Sequence, residues 1–285
     1  MSWIVQFITA VRRTASGRIG LYVFAFFGLV AIFGPMLAPY EPFERVYHDG
    51  RLVRLASPSA QHWLGTTSLG RDVFSQMLYG ARQAMIVGCA TAIGVAAIGV
   101  NVGLIAGYFG GRIDAVMMRI TDIFLGVPFL PFLIVVLAIT GRSTTTIIFA
   151  MTLIMWRAAA RVIRAQVLSI KQMPFVAAAR TTGAGDFTVL YREIAPNIMP
   201  IALVNVTLAM AWAIITEASI GFLGYGDPSV TSWGSIIHAA YAAQMMYRAP
   251  WWVIPPGIAI MVLVSSVYFV GRAYEHVVNP RLAVQ

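Results

Sequence analysis

The chain has 285 residues, of which 59% are hydrophobic and 11% charged, and its mean hydropathy is +0.78. That excludes a soluble domain, because uncharged runs long enough to cross a bilayer recur along it. The formal net charge of +9 has two readings, a nucleic-acid partner or basic loops on the cytoplasmic side of a membrane, and the hydropathy favours the second.

Uncharged runs at 19–40, 83–111, 123–141, 143–156, 194–216 and 249–271 mark the candidate spans. Arg12, Arg13 and Arg18 precede the first run. A signal peptide would explain that layout. The basic region is long, however, and no small-x-small site precedes Pro35, so a retained first helix with the N-terminus inside is expected. Residues 39–83 then lie outside. Within 44–55, Asp49-Gly50 between alternating flanks signals a hairpin. In 62–82, Gly65, Gly70 and Gly80 allow tight turns, and Arg71 beside Asp72 suits a charge pair at headgroup level.

The second helix is expected over about 84–108. Gly99, Gly103 and Gly107 recur every four residues, which puts them on one face and admits a second helix closely. Asn101, the strongly polar side chain there, suits an interhelical hydrogen bond better than a substrate contact. Residues 110–122 form a short amphipathic connection. The third helix covers about 115–140, with Pro128 and Pro131 disturbing its ladder. The fourth window is too short alone and spans only if its helix continues through 156–168, Arg157, Arg161 and Arg164 reaching the inner headgroups.

Residues 175–200 form a polar island between apolar segments. An Ala-rich helix over 175–182 stops at Gly183, with Asp186 as N-cap of a second short helix over 187–194 that Pro196 and Pro200 end. Phe175, Ala178, Ala179 and Thr182 fall on one helical face. An ordinary cytoplasmic loop is the plain alternative to a docking knob. A fifth helix follows over about 198–217. The uncharged stretch 228–247 is too rich in Ser, Thr and Pro for a span and fits a surface or re-entrant segment. The last helix covers about 251–271, and the tail after it is cytoplasmic. On this layout cytoplasmic segments hold thirteen basic residues and external ones seven, out of 20 in all, as the positive-inside rule requires.

Enzyme chemistry finds no foothold. Lys171, the single lysine, follows no glycine-rich run, so no phosphate-binding loop exists. His48, His62, His238 and His276 lack metal spacing and are expected to be single solvated or interfacial residues. Cys89 is alone, which excludes internal disulfides and cysteine metal sites. A secondary transporter would need intramembrane carboxylates, and Asp122 and Glu217, both near span ends, are the candidates. For Glu217 a structural cap and an external gate are both open.

The motifs also carry a resemblance. Ala178, Ala179, Gly183 and Pro196 match the EAA motif of importer permeases of the ATP-binding-cassette superfamily, with Ala177 where that family usually has Glu. Leu-Gly-Thr, Leu-Gly-Arg-Asp and Tyr-Gly-Ala-Arg in 62–82, Phe-Leu-Gly at 222–224 and Ser-Trp-Gly at 232–234 are similar to further family blocks. Over about 60–282 the chain resembles the dipeptide, oligopeptide and nickel permeases, in particular the subunit type with a long first external loop. Arg161 and Arg164 fit that pattern and Arg157 does not.

The resemblance implies an all-α integral membrane protein of six transmembrane helices with the type I importer permease fold. An N-terminal part (1–83) would hold the first helix and external loop, and a five-helix core (84–285) the coupling helix at 175–196. Phe175, Ala178, Ala179, Arg180, Thr182, Gly183 and Pro196 would couple to the ATPase, and Glu217, Ser219, Phe222 and Asn101 would serve the pathway or its external gate. The chain would be a non-catalytic subunit without cofactors of its own, with ATP and Mg on two partner ATPases. Its other partners would be a homologous permease, an external solute-binding protein and the lipid bilayer. It would lie in the bacterial inner membrane with both termini cytoplasmic. Peptides are the expected cargo, with nickel, glutathione, opines or oligosaccharides as alternatives for the same machinery.

Overall fold

The computed structural model of the protein describes residue 9 and residues 11–278. The tail beyond 278, Arg281 included, and the side chain of His276 lie outside the described residues. Helix α1 (Ala15–Leu37) is followed by strands β1 (Tyr47–His48) and β2 (Arg51–Leu52), then α2 (Val73–Phe109), α3 (Gly111–Leu125), α4 (Phe129–Thr140), α5 (Thr144–Ile170) and α6 (Pro174–Thr181). Helix α7 (Asp186–Phe222), α8 (Trp233–Ala242) and α9 (Pro250–Val278) complete the chain. Five of these, α1, α2, α5, α7 and α9, are each long and apolar enough to cross a membrane.

The sixth expected span is different. In place of one disturbed helix over 115–140, α3 and α4 meet at 85°. Pro128, extended at φ −62° and ψ 121°, caps α4 because proline disfavours a helical predecessor and supplies no N–H. The amphipathic α3 is pinned to α5 by two ion pairs, Asp122 to Arg161 and Asp114 to Arg164, the latter through two parallel bonds. Arg161 and Arg164 are therefore tied to a neighbouring helix. Helix α5 does continue unbroken through 156–168.

Glycine spacing sets the main helix pair. A Cβ on Gly99 would meet Ala159 Cβ and Trp156 O at 2.8 Å, and one on Gly103 would meet Ala160 O at 2.6 Å. On Gly107 it would meet Val167 Cβ at 2.6 Å. The backbone of α2 thus lies directly on α5. On its other sides α2 meets α1, α7, α8 and α9 through Phe27, Ala84, Ile214, Trp233 and Leu263.

Helix α2 starts eleven residues before its expected beginning, since Asp72 caps it by accepting from Ser75 N at 2.8 Å. Gly65 and Gly70 do turn at positive φ. Gly80 instead lies inside the helix, where a Cβ would meet Trp233 Cδ1 at 2.5 Å. The hairpin forms as expected, with Asp49 at φ 50° and Gly50 at φ 74°. The expected Arg71–Asp72 pair is absent. Asp72 binds His62 Nδ1 at 3.0 Å, and Arg71 lies over the Phe43 ring at 5.1 Å. His62 in turn meets His48 Nε2 at 3.4 Å, so His62 is a buried, paired residue and not a single solvated one, while His48 is exposed above it. The fold of the loop beyond the hairpin creates that proximity, which linear spacing does not display. Among the described residues no three His, Cys, Asp or Glu side chains are grouped to hold a metal ion.

Stretch 228–247 is not a span but holds the ten-residue α8, opened by a Ser232–Ser235 capping box, whose Trp233, Ile236 and Ala240 are buried in the core. Just before it, Asp227 accepts from Thr144 N and Oγ1 at 2.7 and 2.9 Å and from Ser229 N and Oγ at 2.9 and 2.6 Å. Burial opposes the charge on Asp227, but the bonds from Ser229 and Thr144 outweigh it and hold the carboxyl below its usual value. A carboxyl lowered by folding stabilises fully above its unfolded value and ceases to do so as pH falls through the folded one. Asp227→Asn should therefore lower the melting temperature at pH 7, with the gap to wild type closing below pH about 4. A gap unchanged down to pH 3 would contradict this.

Candidate functional site

The polar island folds as a knob at the end of the bundle opposite the hairpin. Pro174 opens α6 and Thr182 closes it. Gly183 follows at φ 85°, the left-handed turn that only glycine adopts cheaply. Asp186 is not the expected N-cap. Gly185 holds that place, and no side chain caps the helix, because the Asp186 carboxylate is turned aside to accept from Tyr108 OH at 2.7 Å.

The second helix does not end at Pro196 and Pro200. Its Val189–Ile194 turn is a π-helix, and the chain continues through both prolines to Phe222. Pro196 has no N–H for the carbonyl four residues back, and the wider π turn ahead of it absorbs the defect. The second helix of the knob and the span are thus one continuous helix.

Inward from the knob, Val176, Val189, Leu190 and Ile194 pack on Leu104, Tyr108, Ile163 and Val167 of α2 and α5. Ala179 joins this core at its edge, so it leaves the face expected for it with Phe175, Ala178 and Thr182. Those three remain exposed, as does Ala177. The Thr182 hydroxyl donates to Ala179 O at 2.9 Å. Arg180, expected to reach an acidic partner, places its guanidinium over the Tyr108 ring at 5.1 Å. Tyr108 thereby holds both sides of the Gly183 turn.

Two residues of this surface escaped the sequence reading. Phe187, 71% exposed, stacks on Tyr191 with 6.5 Å between ring centroids and 4° between planes. Phe175 is 39% exposed. Exposed aromatics clustered on this polar end of the chain's knob mark a contact surface. Their i, i+4 spacing in 187–191 was the available signal.

The expected pathway residues do not converge. Glu217 is 3% exposed with the Ser232 hydroxyl at its carboxyl, in the seam where α7 and α8 pack. Ser219 and Phe222 line a shallow apolar groove with Ile215, Leu223 and Ile260. Asn101 accepts from Tyr191 OH at 2.9 Å, the interhelical bond expected of it. A separate cavity of about 400 Å³ opens between α4, α5 and α7, lined by Phe129, Met155, Arg157, Asn205, Leu208 and Trp212 among others.

Residues 99–284 match the family described as binding-protein-dependent transport system inner membrane component. Residues 5–58 match the N-terminal TM domain of oligopeptide transport permease C. Among similar proteins, the dipeptide transport system permease protein DppC of Bacillus subtilis (strain 168) is 36% identical over 274 residues, 95% of this chain and 84% of the relative. The oligopeptide transport system permease protein OppC of the same organism is 37% identical over 273 residues, 95% and 87% of the two chains. The glutathione transport system permease protein GsiD of Pectobacterium atrosepticum is 33% identical, covering 95% and 89%.

Proposed function

The chain belongs to the binding-protein-dependent transport system inner membrane components, and on that premise we propose that it is the peptide-conducting permease subunit of an ATP-driven importer, its knob seated on a separate ATPase. The observation that supports this reading is the knob itself. It is an exposed aromatic and small-residue surface, held without slack to α2 and continuous with a membrane-crossing rod. A push on such a surface moves α7 as a body.

In this reading the knob end faces the cytoplasm with both termini, and the hairpin end faces outward in the bacterial inner membrane. A homologous permease completes the pathway and a solute-binding protein delivers cargo at the hairpin end. ATP and Mg reside on two partner ATPases, and this chain carries no cofactor of its own. Phe175, Ala178, Thr182, Phe187 and Tyr191 form the docking face. Gly183 and Pro196 set its geometry, while Ala179 and Arg180 brace it from behind. Ser219 and Phe222 face the pathway, and Glu217 supports them from the α7–α8 seam. The relatives are named for dipeptide, oligopeptide and glutathione transport, all short peptides, and that is the cargo class assigned here.

Phe175→Ala and Phe187→Ala should each weaken ATPase docking by about 2 kcal/mol, roughly 30-fold, the scale of an interface anchor. The check is recovery of the ATPases with the affinity-tagged permease, beside peptide uptake. Undiminished recovery and uptake in both variants would remove the docking role.

A further inference from the structure

Three arginines follow one another along α5, and the fold supplies carboxylates to two. Arg161 has Asp122 and Arg164 has Asp114. Arg157 has no ion pair among the described residues. It donates to Ile154 O at 2.7 Å, a carbonyl of its own helix. Half-buried, it stands in the wall of the cavity between α4, α5 and α7.

Its depth matters. Thr144 opens α5, which puts Arg157 roughly 20 Å along the helix at 1.5 Å per residue, inside a hydrocarbon core about 30 Å thick. A guanidinium there is expensive unless it meets an acceptor. The walls around it, Phe129, Met155, Leu208 and Trp212, are apolar. Asn205 is the other polar group of the wall, and its amide is engaged by Ile201 O at 2.9 Å. An unpaired planar cation facing an open apolar cavity is a receptor for a carboxylate, which its fork binds through two parallel bonds.

We infer that Arg157 holds the C-terminal carboxylate of a peptide in transit, making it a specificity-determining residue of the pathway. The inference rests on the peptide-import reading for its cargo and on the geometry of the cavity for its site. Hydrophobic walls would then take peptide side chains with little discrimination, while the arginine selects a free C-terminus.

The test uses the assembled importer in lipid nanodiscs, without its binding protein or ATP, so that delivery does not filter the probe. Saturation-transfer NMR compares tri-alanine with tri-alanine amide on wild type, Arg157→Gln and Arg157→Lys. Tri-alanine should bind wild type at least tenfold better than its amide. Arg157→Gln should abolish that preference, and Arg157→Lys should restore part of it. An acidic side-chain source is separated by Ala-Asp-Ala amide, which should bind wild type no better than tri-alanine amide. Melting temperatures of the variants confirm that assembly is intact.

Equal binding of acid and amide by wild type would overturn the inference, as would an unchanged preference in Arg157→Gln or no binding of either probe. Vesicle uptake is scored separately. Wild-type vesicles importing no delivered peptide would refute the transport reading, while the acid-to-amide ratio still decides Arg157.

Discussion

Gly103→Leu is expected to lose most of the folded chain. A Cβ there meets Ala160 O at 2.6 Å and Ile163 Cβ and Cγ2 at 2.7 and 2.9 Å. The first obstacle is backbone, which a rotamer change cannot move aside. Helix α2 would have to lift from α5, also separating Gly99 from Ala159 and Gly107 from Val167. Overpacking at one site costs about 1–3 kcal/mol, and a rigid-body shift along a seam of three glycines adds the packing lost at the other two. The control is Gly28→Leu in α1, where a Cβ has nothing within 4 Å. Thermal melting and monodisperse yield after purification are the readouts. Gly103→Leu should give little or no monodisperse protein and Gly28→Leu a wild-type profile. Similar melting of both variants would refute the close approach of α2 and α5.

Tyr108→Ala is expected to separate ATP hydrolysis from transport under the proposed function. The ring is buried, carries Arg180 over its face and donates its hydroxyl to Asp186. A cation–π contact contributes about 0.5–2 kcal/mol and a hydrogen bond to a charged group about 1.5–3. Both act between the knob and the end of α2. Without them the docking face remains, since Phe175 and Phe187 are untouched, but a displacement of α6 dissipates in the Gly183 turn. The ATPases should co-purify at wild-type levels while peptide uptake per ATP hydrolysed falls at least tenfold. Tyr108→Phe, which keeps the ring and loses the hydroxyl, should lie between. Unchanged uptake in Tyr108→Ala would show that force reaches the bundle by another route, with the π turn at Val189–Ile194 the next element to change.

Much of this molecule follows from the order of its residues alone. Uncharged runs of sufficient length mark the five long spans because a bilayer admits little else. Gly99, Gly103 and Gly107 announce a close helix contact by their period. Asp49-Gly50 and Gly183 specify their turns through φ values that other residues reach only at a cost. Helix ends were less legible. Asp72 starts α2 early and Asp186 forgoes its cap, because a carboxylate bonds whichever donor the fold presents, Ser75 and His62 in one case and Tyr108 in the other. Proline misled at 196, where a π turn absorbs the missing N–H, and at 200, which the helix simply carries inside it.

What tertiary structure decided is which charges and rings meet. Arg157, Arg161 and Arg164 look alike on one amphipathic stretch. Only the 85° bend between α3 and α4 brings Asp122 and Asp114 to two of them and leaves the third facing a cavity. His48 and His62, fourteen residues apart, come within 3.4 Å through the fold of the loop beyond the hairpin. Arg180 and Asp186 flank a turn in the sequence, yet it is Tyr108, from a helix completed long before, that joins them. Periodicity and φ preference are local and can be read in order. The pairing of charges and rings depends on the angle at which helices meet, and packing alone sets that angle.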